Sequence, residues 1–222
     1  MIIAIDGPSG AGKGTVARAI ATRLGFRHID TGAMYRAVAW KALALGLATE
    51  DEARMTEVAE GASFEMDAGS VAIDGTDVTK AIRTAEIDRG AARVATLPGV
   101  RAALVARQRA YASGDVVMEG RDIGTVVFPA ADVKIYLDAS PDERARRRAA
   151  DAAHSSGAEL AVSRIATELE ARDLADKTRQ ASPLIVAADA VVIDTTGVPV
   201  ATVVEQVIAI VAKRSGRHAA GA

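Results

Sequence analysis

The chain opens on an apolar run, Ile2 to Ile5, that ends in Asp6. That is the pattern of a parallel strand buried on both faces. A glycine-rich turn follows, and Lys13 to Leu24 reads as a helix. His28-Ile29-Asp30 predicts a short second strand, and Met34 to Leu45 carries apolar residues at helical spacing. Thr49 and Glu52 make a capping box for a short helix near Glu50 to Glu60. Residues 61–83 differ. Ser63 to Met66 and Val71 to Ile73 flank one turn, and Asp74-Gly75 makes another, which predicts a small antiparallel insertion. Helices are expected over Thr84 to Ala95 and Val100 to Ala112. Val116-Val117-Met118 and Val133 to Leu137 resume the parallel strands. Ser140-Pro141-Asp142-Glu143 starts a helix, with serine at the cap and proline in the first position. That helix is arginine-rich and loses definition near His154; Glu159 to Thr178 predicts another. Ala190 to Asp194 is the last strand, Pro199 to Lys213 the last helix, and 214–222 a disordered tail. Five apolar strands separated by helices predict one α/β domain with a parallel sheet.

Composition narrows the chemistry. The 222 residues include 49 alanines and no cysteine, which excludes disulfides, thiol nucleophiles and cysteine zinc sites. His28, His154 and His218 make no metal-ligand spacing. The net charge of -2 does not suggest a nucleic-acid binder. No apolar run approaches the roughly 18 residues of a membrane span. The first residues have no basic n-region, so the reading is a soluble, cytoplasmic protein.

Gly7-Pro8-Ser9-Gly10-Ala11-Gly12-Lys13 fits the phosphate-loop spacing, between a buried strand and a helix. Its glycines let backbone N–H groups wrap a phosphate. The helix N-terminus favours an anion, and Lys13 adds a full charge. Gly14 stands where the common motif has Ser or Thr, and the hydroxyl comes at Thr15. That displacement suggests Mg²⁺ held largely through water, with Thr15 and Asp30 as candidates and Asp122 as a further carboxylate past a strand. Arginine dominates the cations, 21 against 6 lysines. Its planar fork pairs bidentately with phosphate oxygens.

The stretch Ile5 to Thr15 resembles bacterial cytidylate kinases, nucleoside monophosphate kinases with a Gly-Lys-Gly-Thr loop. Asp30-Thr31-Gly32-Ala33-Met34-Tyr35-Arg36 and Glu119 to Pro129 agree, and the likeness runs through Ser182-Pro183-Leu184 over nearly the whole chain. The resemblance implies a three-layer P-loop fold: a five-stranded parallel sheet, an antiparallel β insertion in the monophosphate-binding region, and a short helical lid. The implied core is 1–31, 99–143 and 173–213, with the monophosphate-binding region over 32–98 and the lid over about 144–172. It implies ATP-dependent transfer to CMP and dCMP with Mg²⁺, by a monomer acting on small molecules. Residues Gly7 to Thr15, that is Gly7, Pro8, Ser9, Gly10, Ala11, Gly12, Lys13, Gly14 and Thr15, would hold ATP. Lys13, Arg121, Arg179, Arg148 and Arg144 would stabilise the transfer, with Arg147 a further candidate in the lid. Arg36, Arg121 and Arg179 resemble the grip on the CMP phosphate, with Thr31 and Tyr35 beside it. Asp122 and Arg101 resemble the pair that reads cytosine, and Arg172 and Asp176 the pair at the sugar. Ala92 stands where the family commonly has serine, which implies looser discrimination between CMP, UMP and dCMP.

Rival readings fail on single features. Asp30-Thr31-Gly32 is an aspartic-protease signature, but those all-β enzymes need two such carboxylates and this chain has one. A GTPase-like switch needs an Asn-Lys-x-Asp segment, and the chain has no asparagine. A kinase acting on dTMP or AMP is separated by the Asp122 and Arg101 assignment.

Overall fold

The computed structural model describes residues 1–67, 69–150 and 162–219. The strands are β1 (Ile2–Asp6), β2 (Arg27–Asp30), β3 (Phe64–Asp67), β4 (Ser70–Ile73), β5 (Thr76–Asp77), β6 (Val116–Glu119), β7 (Val133–Asp138) and β8 (Val191–Asp194). The helices are α1 (Lys13–Leu24), α2 (Thr31–Ala44), α3 (Glu52–Gly61), α4 (Ala85–Val94), α5 (Pro98–Ala110), α6 (Pro141–Ala150), α7 (Val162–Thr178) and α8 (Val200–Ala219).

Five strands form the parallel sheet in the order β2-β6-β1-β7-β8. β1 is central because its residues are apolar on both faces, and Ile3, Ala4 and Ile5 are fully buried. Period-two alternation splits them. Ile3 and Ile5 pack with α1 and α8 through Ala17, Ile20, Val203 and Val207. Ala4 packs on the other face with Ile29, Val105, Met118 and Ile123. Chain order reverses beside β1, so the crevice past the strands' carboxyl ends is the expected ligand position.

The expected insertion is a three-stranded antiparallel sheet, β3-β4-β5. Phe64, Val71, Ile73, Val78 and Ile82 anchor it to Met34, Val38, Met55 and Ile87 of α2, α3 and α4. It is thus part of a continuous core with those helices rather than an appendage.

Local expectations change at two helices. The cap of α3 is Asp51, whose carboxylate accepts from Arg54 N at 3.1 Å; Thr49 is buried two residues earlier. α8 continues to Ala219, because no proline stops it after Lys213. Only 220–222 of the expected disordered tail lie outside the described residues, as does the His154 segment. A single π-turn over Ile123–Val127 follows β6. Asp6 pins it, accepting from Ile123 N at 2.8 Å and Gly124 N at 2.7 Å. Burial pushes the Asp6 carboxyl up to about 6 despite those bonds.

Candidate active site

A cavity of about 880 Å³ opens at the carboxyl ends of the parallel strands. Its wall carries eleven cationic side chains against six carboxylates. The excess is local, because the whole chain is slightly acidic.

One end is the phosphate loop. Gly7 has φ +147°, and a Cβ there would lie 2.0 Å from Leu137 O, so only glycine lets the loop leave β1. Gly12 caps α1 in the left-handed region, which turns the helix N-terminus toward the cavity. Ser9 through Thr15 line the wall, whereas Gly7 and Pro8 lie beneath it. Lys13 is buried and donates from Nζ to Pro8 O at 2.7 Å. Burial, then repulsion from Arg121, lowers its ammonium to about 7. A phosphate placed beside it would restore the charge.

Gly14 has a tertiary explanation. A Cβ there would lie 3.1 Å from Oε1 of Glu119. Glu119 ends β6, is 7% exposed, and meets Nε2 of His28 at 3.0 Å. Sequence reasoning missed Glu119. The available signal was an acid closing the apolar strand Val116-Val117-Met118 near a phosphate loop. Asp30 is otherwise employed: it caps α2 by accepting from Ala33 N at 3.1 Å and pairs with Arg36 at 2.7 Å. Burial would raise its pKa, but Arg36 and Arg83 hold it below the ordinary carboxylate value. Asp30 therefore fits a metal role less well than Glu119, which opens on the loop beside exposed Thr15.

The rest of the wall is built from residues of β2, β6, α5 and α7 and the turns after them. Thr31 donates to Glu119 O at 2.7 Å, tying α2 to β6. Arg101 and Asp122 form an ion pair at 2.6 Å, with side chains 3% and 7% exposed. Arg101 also donates to Ala95 O at 3.1 Å and lies 5.4 Å over the Tyr35 ring. Asp176 joins two arginines from different elements, Arg121 at 3.0 Å and Arg179 at 2.9 Å. Arg179 further donates to Ser182 O at 2.7 Å. The pairing of Arg172 with Asp176 that their spacing allows is not made. Arg172 lines the cavity with no ion pair among the described residues, and burial plus Arg121 lowers it to about 10. Arg36 Nε, Arg101 Nε and Arg179 Nη2 are buried without a hydrogen-bond partner among the described residues. Such orphaned donors on a cavity wall suit an anionic or carbonyl-bearing ligand.

The arginines of α6 separate. Arg148 reaches Asp88 of α4, and Arg147 donates to Thr195 Oγ1 at 2.9 Å and Thr195 O at 2.6 Å. Both line the cavity, as does Arg146, which is held by Glu143. Arg144 does not line it. It is buried behind the loop, bonded to Ala139 O, Ser9 O and Asp173. One turn before Arg148 on the same face, the Arg144 guanidinium is drawn under Ser9 by these partners, where it supports the loop. Arg83 and Asp88 line the cavity too and were not anticipated. Ala92 lies off the wall, which Ala91 and Ala95 form instead.

Comparison with known proteins places the chain in a family. The family model described as cytidylate kinase matches residues 3–213. A cytidylate kinase of Solibacter usitatus is 50% identical over 216 residues, covering 96% of this chain and 93% of that protein. A cytidylate kinase of Desulfitobacterium hafniense is 48% identical over 212 residues, covering 94% and 91%. Among solved structures, shikimate kinase from Acinetobacter baumannii in complex with shikimate superposes with a TM-score of 0.48 at 16% identity, covering 96% and 93%.

Proposed function

The chain belongs to the cytidylate kinase family, and from that premise we propose how its cleft works. It transfers the γ-phosphoryl group of ATP to CMP and dCMP, giving ADP and CDP or dCDP. The observation that carries the acceptor assignment is the buried Arg101–Asp122 pair on the cleft wall. A carboxylate accepts from the 4-amino group of cytosine, and a guanidinium donates to N3 and O2. Uracil presents a carbonyl to Asp122 and gives that carboxylate no donor from the base.

The acceptor phosphate is already ionised near pH 7, since its second pKa is about 6. It needs no general base. It needs fixed positive charge that lets two anions approach. Lys13 and the loop N–H groups hold the donor phosphates. Arg36, Arg121 and Arg179 face the acceptor phosphate, and Asp176 holds the last two in one orientation. Arg147 and Arg148 supply charge from the α6 side. Arg172 extends toward the sugar.

Among the described residues no group of three carboxylate or histidine ligands could cage a metal. That suits Mg²⁺ arriving with ATP, which keeps its waters and takes one or two protein carboxylates. Glu119 and Thr15 would hold it, through water. When bound, Mg²⁺ neutralises charge on the β- and γ-phosphates. Action as a cytoplasmic monomer belongs to the same reading, and sedimentation at assay concentration tests the monomer.

The deciding experiment is ADP release measured with CMP, dCMP, UMP, AMP and dTMP as acceptors. CMP and dCMP should dominate. Equal turnover of AMP and CMP would sink the reading.

A further inference from the structure

Asp88 stands where a phosphoryl-transfer cleft has little evident use for a negative charge. It lies in the first turn of α4, on the acceptor side, and lines the cavity. Its Oδ2 accepts from Arg148 NH2, which comes from α6 on the other wall. Its charge also acts on Arg36 and on Arg172. One guanidinium that faces the cleft is thus bonded to Asp88, and two more lining the same cavity lie within reach of its charge. Asp30 and Asp176 differ from it. Asp30 also caps a helix, and Asp176 fixes two arginines beside one another. Asp88 instead spans the gap between two elements that a nucleotide must separate or bridge.

We propose that Asp88 sets the affinity of the acceptor site, as an internal counter-anion that partly neutralises Arg36, Arg148 and Arg172 until nucleotide phosphate displaces it. This rests on the reading of the cleft as an acceptor site for CMP. A carboxylate and a phosphate make the same demand on guanidinium, two oxygens in the plane of the fork. Arg148 cannot satisfy both fully. The phosphate carries about -1.5 to -2 against the single charge of a carboxylate, so it wins the exchange. Displacement still costs the Asp88–Arg148 pair and leaves two anions near each other. The acceptor consequently binds less tightly than its arginines alone would allow, and product leaves more readily.

The test is calorimetric titration of the full chain with CMP, without ATP, and separately with inorganic pyrophosphate. Asp88→Asn keeps the side-chain size and removes the charge. It should bind both ligands about 1.5- to 5-fold more tightly than the unmodified chain, the range for a partly exposed ion pair. The KM for CMP should fall by a similar factor. Adding Arg148→Ala should shrink that gain, since the displaced pair is then absent. Should Asp88→Asn not fold, Asp88→Ser supports the same comparison. Unchanged or weaker binding of both ligands overturns the proposal, because a merely structural or ligand-holding carboxylate would lose affinity on removal. Pyrophosphate does not depend on base recognition. A gain with pyrophosphate in a chain that fails to phosphorylate CMP supports the counter-anion and removes the cytidylate reading alone.

Discussion

Asp122→Asn preserves the size of a buried side chain while removing the charge that meets Arg101 at 2.6 Å. Two effects follow, and they are separable. First, Arg101 is left as a buried cation with a weaker partner. Breaking such a pair outright costs about 3–5 kcal/mol, and asparagine keeps a carbonyl oxygen that recovers part of it. The midpoint of denaturant unfolding should therefore fall, with the slope unchanged. Second, the charged acceptor for the cytosine amino group is lost. A hydrogen bond to a charged group contributes about 1.5–3 kcal/mol, which corresponds to roughly 10- to 150-fold in kcat/KM. UMP never had the donor, so its kcat/KM should fall far less. The measurement is kcat/KM for CMP and UMP in a coupled ADP-release assay at saturating ATP, below the variant's unfolding range. The CMP/UMP ratio should drop by at least tenfold, and the KM for ATP should stay within twofold of the original value. A preserved ratio, with lower stability, would refute the base-reading role and leave the pair a structural one.

Three further outcomes are expected. Arg36→Ala should raise the KM for CMP by one to two orders of magnitude, as loss of a charged hydrogen bond implies, while ATP affinity measured by titration is retained. Arg144→Ala strands Asp173 behind the loop and should cost about 3–5 kcal/mol of stability; if chemical denaturation shows a loss below about 1 kcal/mol, its supporting role is wrong. Lys13 lies near 7 in the folded, nucleotide-free chain, below its ordinary value of 10.5. Phosphate raises it again, so binding takes up protons above pH 7. At pH 8 the heat of ATP binding should vary with the ionisation enthalpy of the buffer, by close to one proton, and Lys13→Met should abolish the variation. A buffer-independent heat in the unmodified chain would contradict the depressed ammonium.

Much of the fold was readable from adjacent residues. The Ile2 to Ile5 run and the glycine-rich turn after it predict β1, the loop and α1, and the helix spans Lys13–Leu24 as expected. Turn residues around two apolar segments announce the antiparallel insertion, because turn chemistry is local. The cap of α3 was misread because Thr49 and Asp51 both make plausible caps two residues apart. Backbone geometry chose Asp51. Glu119 was passed over because one acid at a strand end is ambiguous until the strand's neighbours are known. Register places it beside Ile5 and Asp30, at the mouth of the loop.

The periodicities, the phosphate loop and the set of arginines available for phosphate can all be read along the chain. These depend on residues within a few positions of one another, where dihedral preference and spacing act directly. Which partner each arginine takes is set by packing between distant elements. Arg144 and Arg148 share a helix face by spacing, yet one is buried against Ser9 and Asp173 and the other crosses to Asp88. Asp176 passes over Arg172, one helical turn away, for Arg121 from the end of β6 and Arg179. A long cationic side chain reaches several candidates at nearly equal cost. The choice among them falls to burial and to distant partners, which no local pattern encodes.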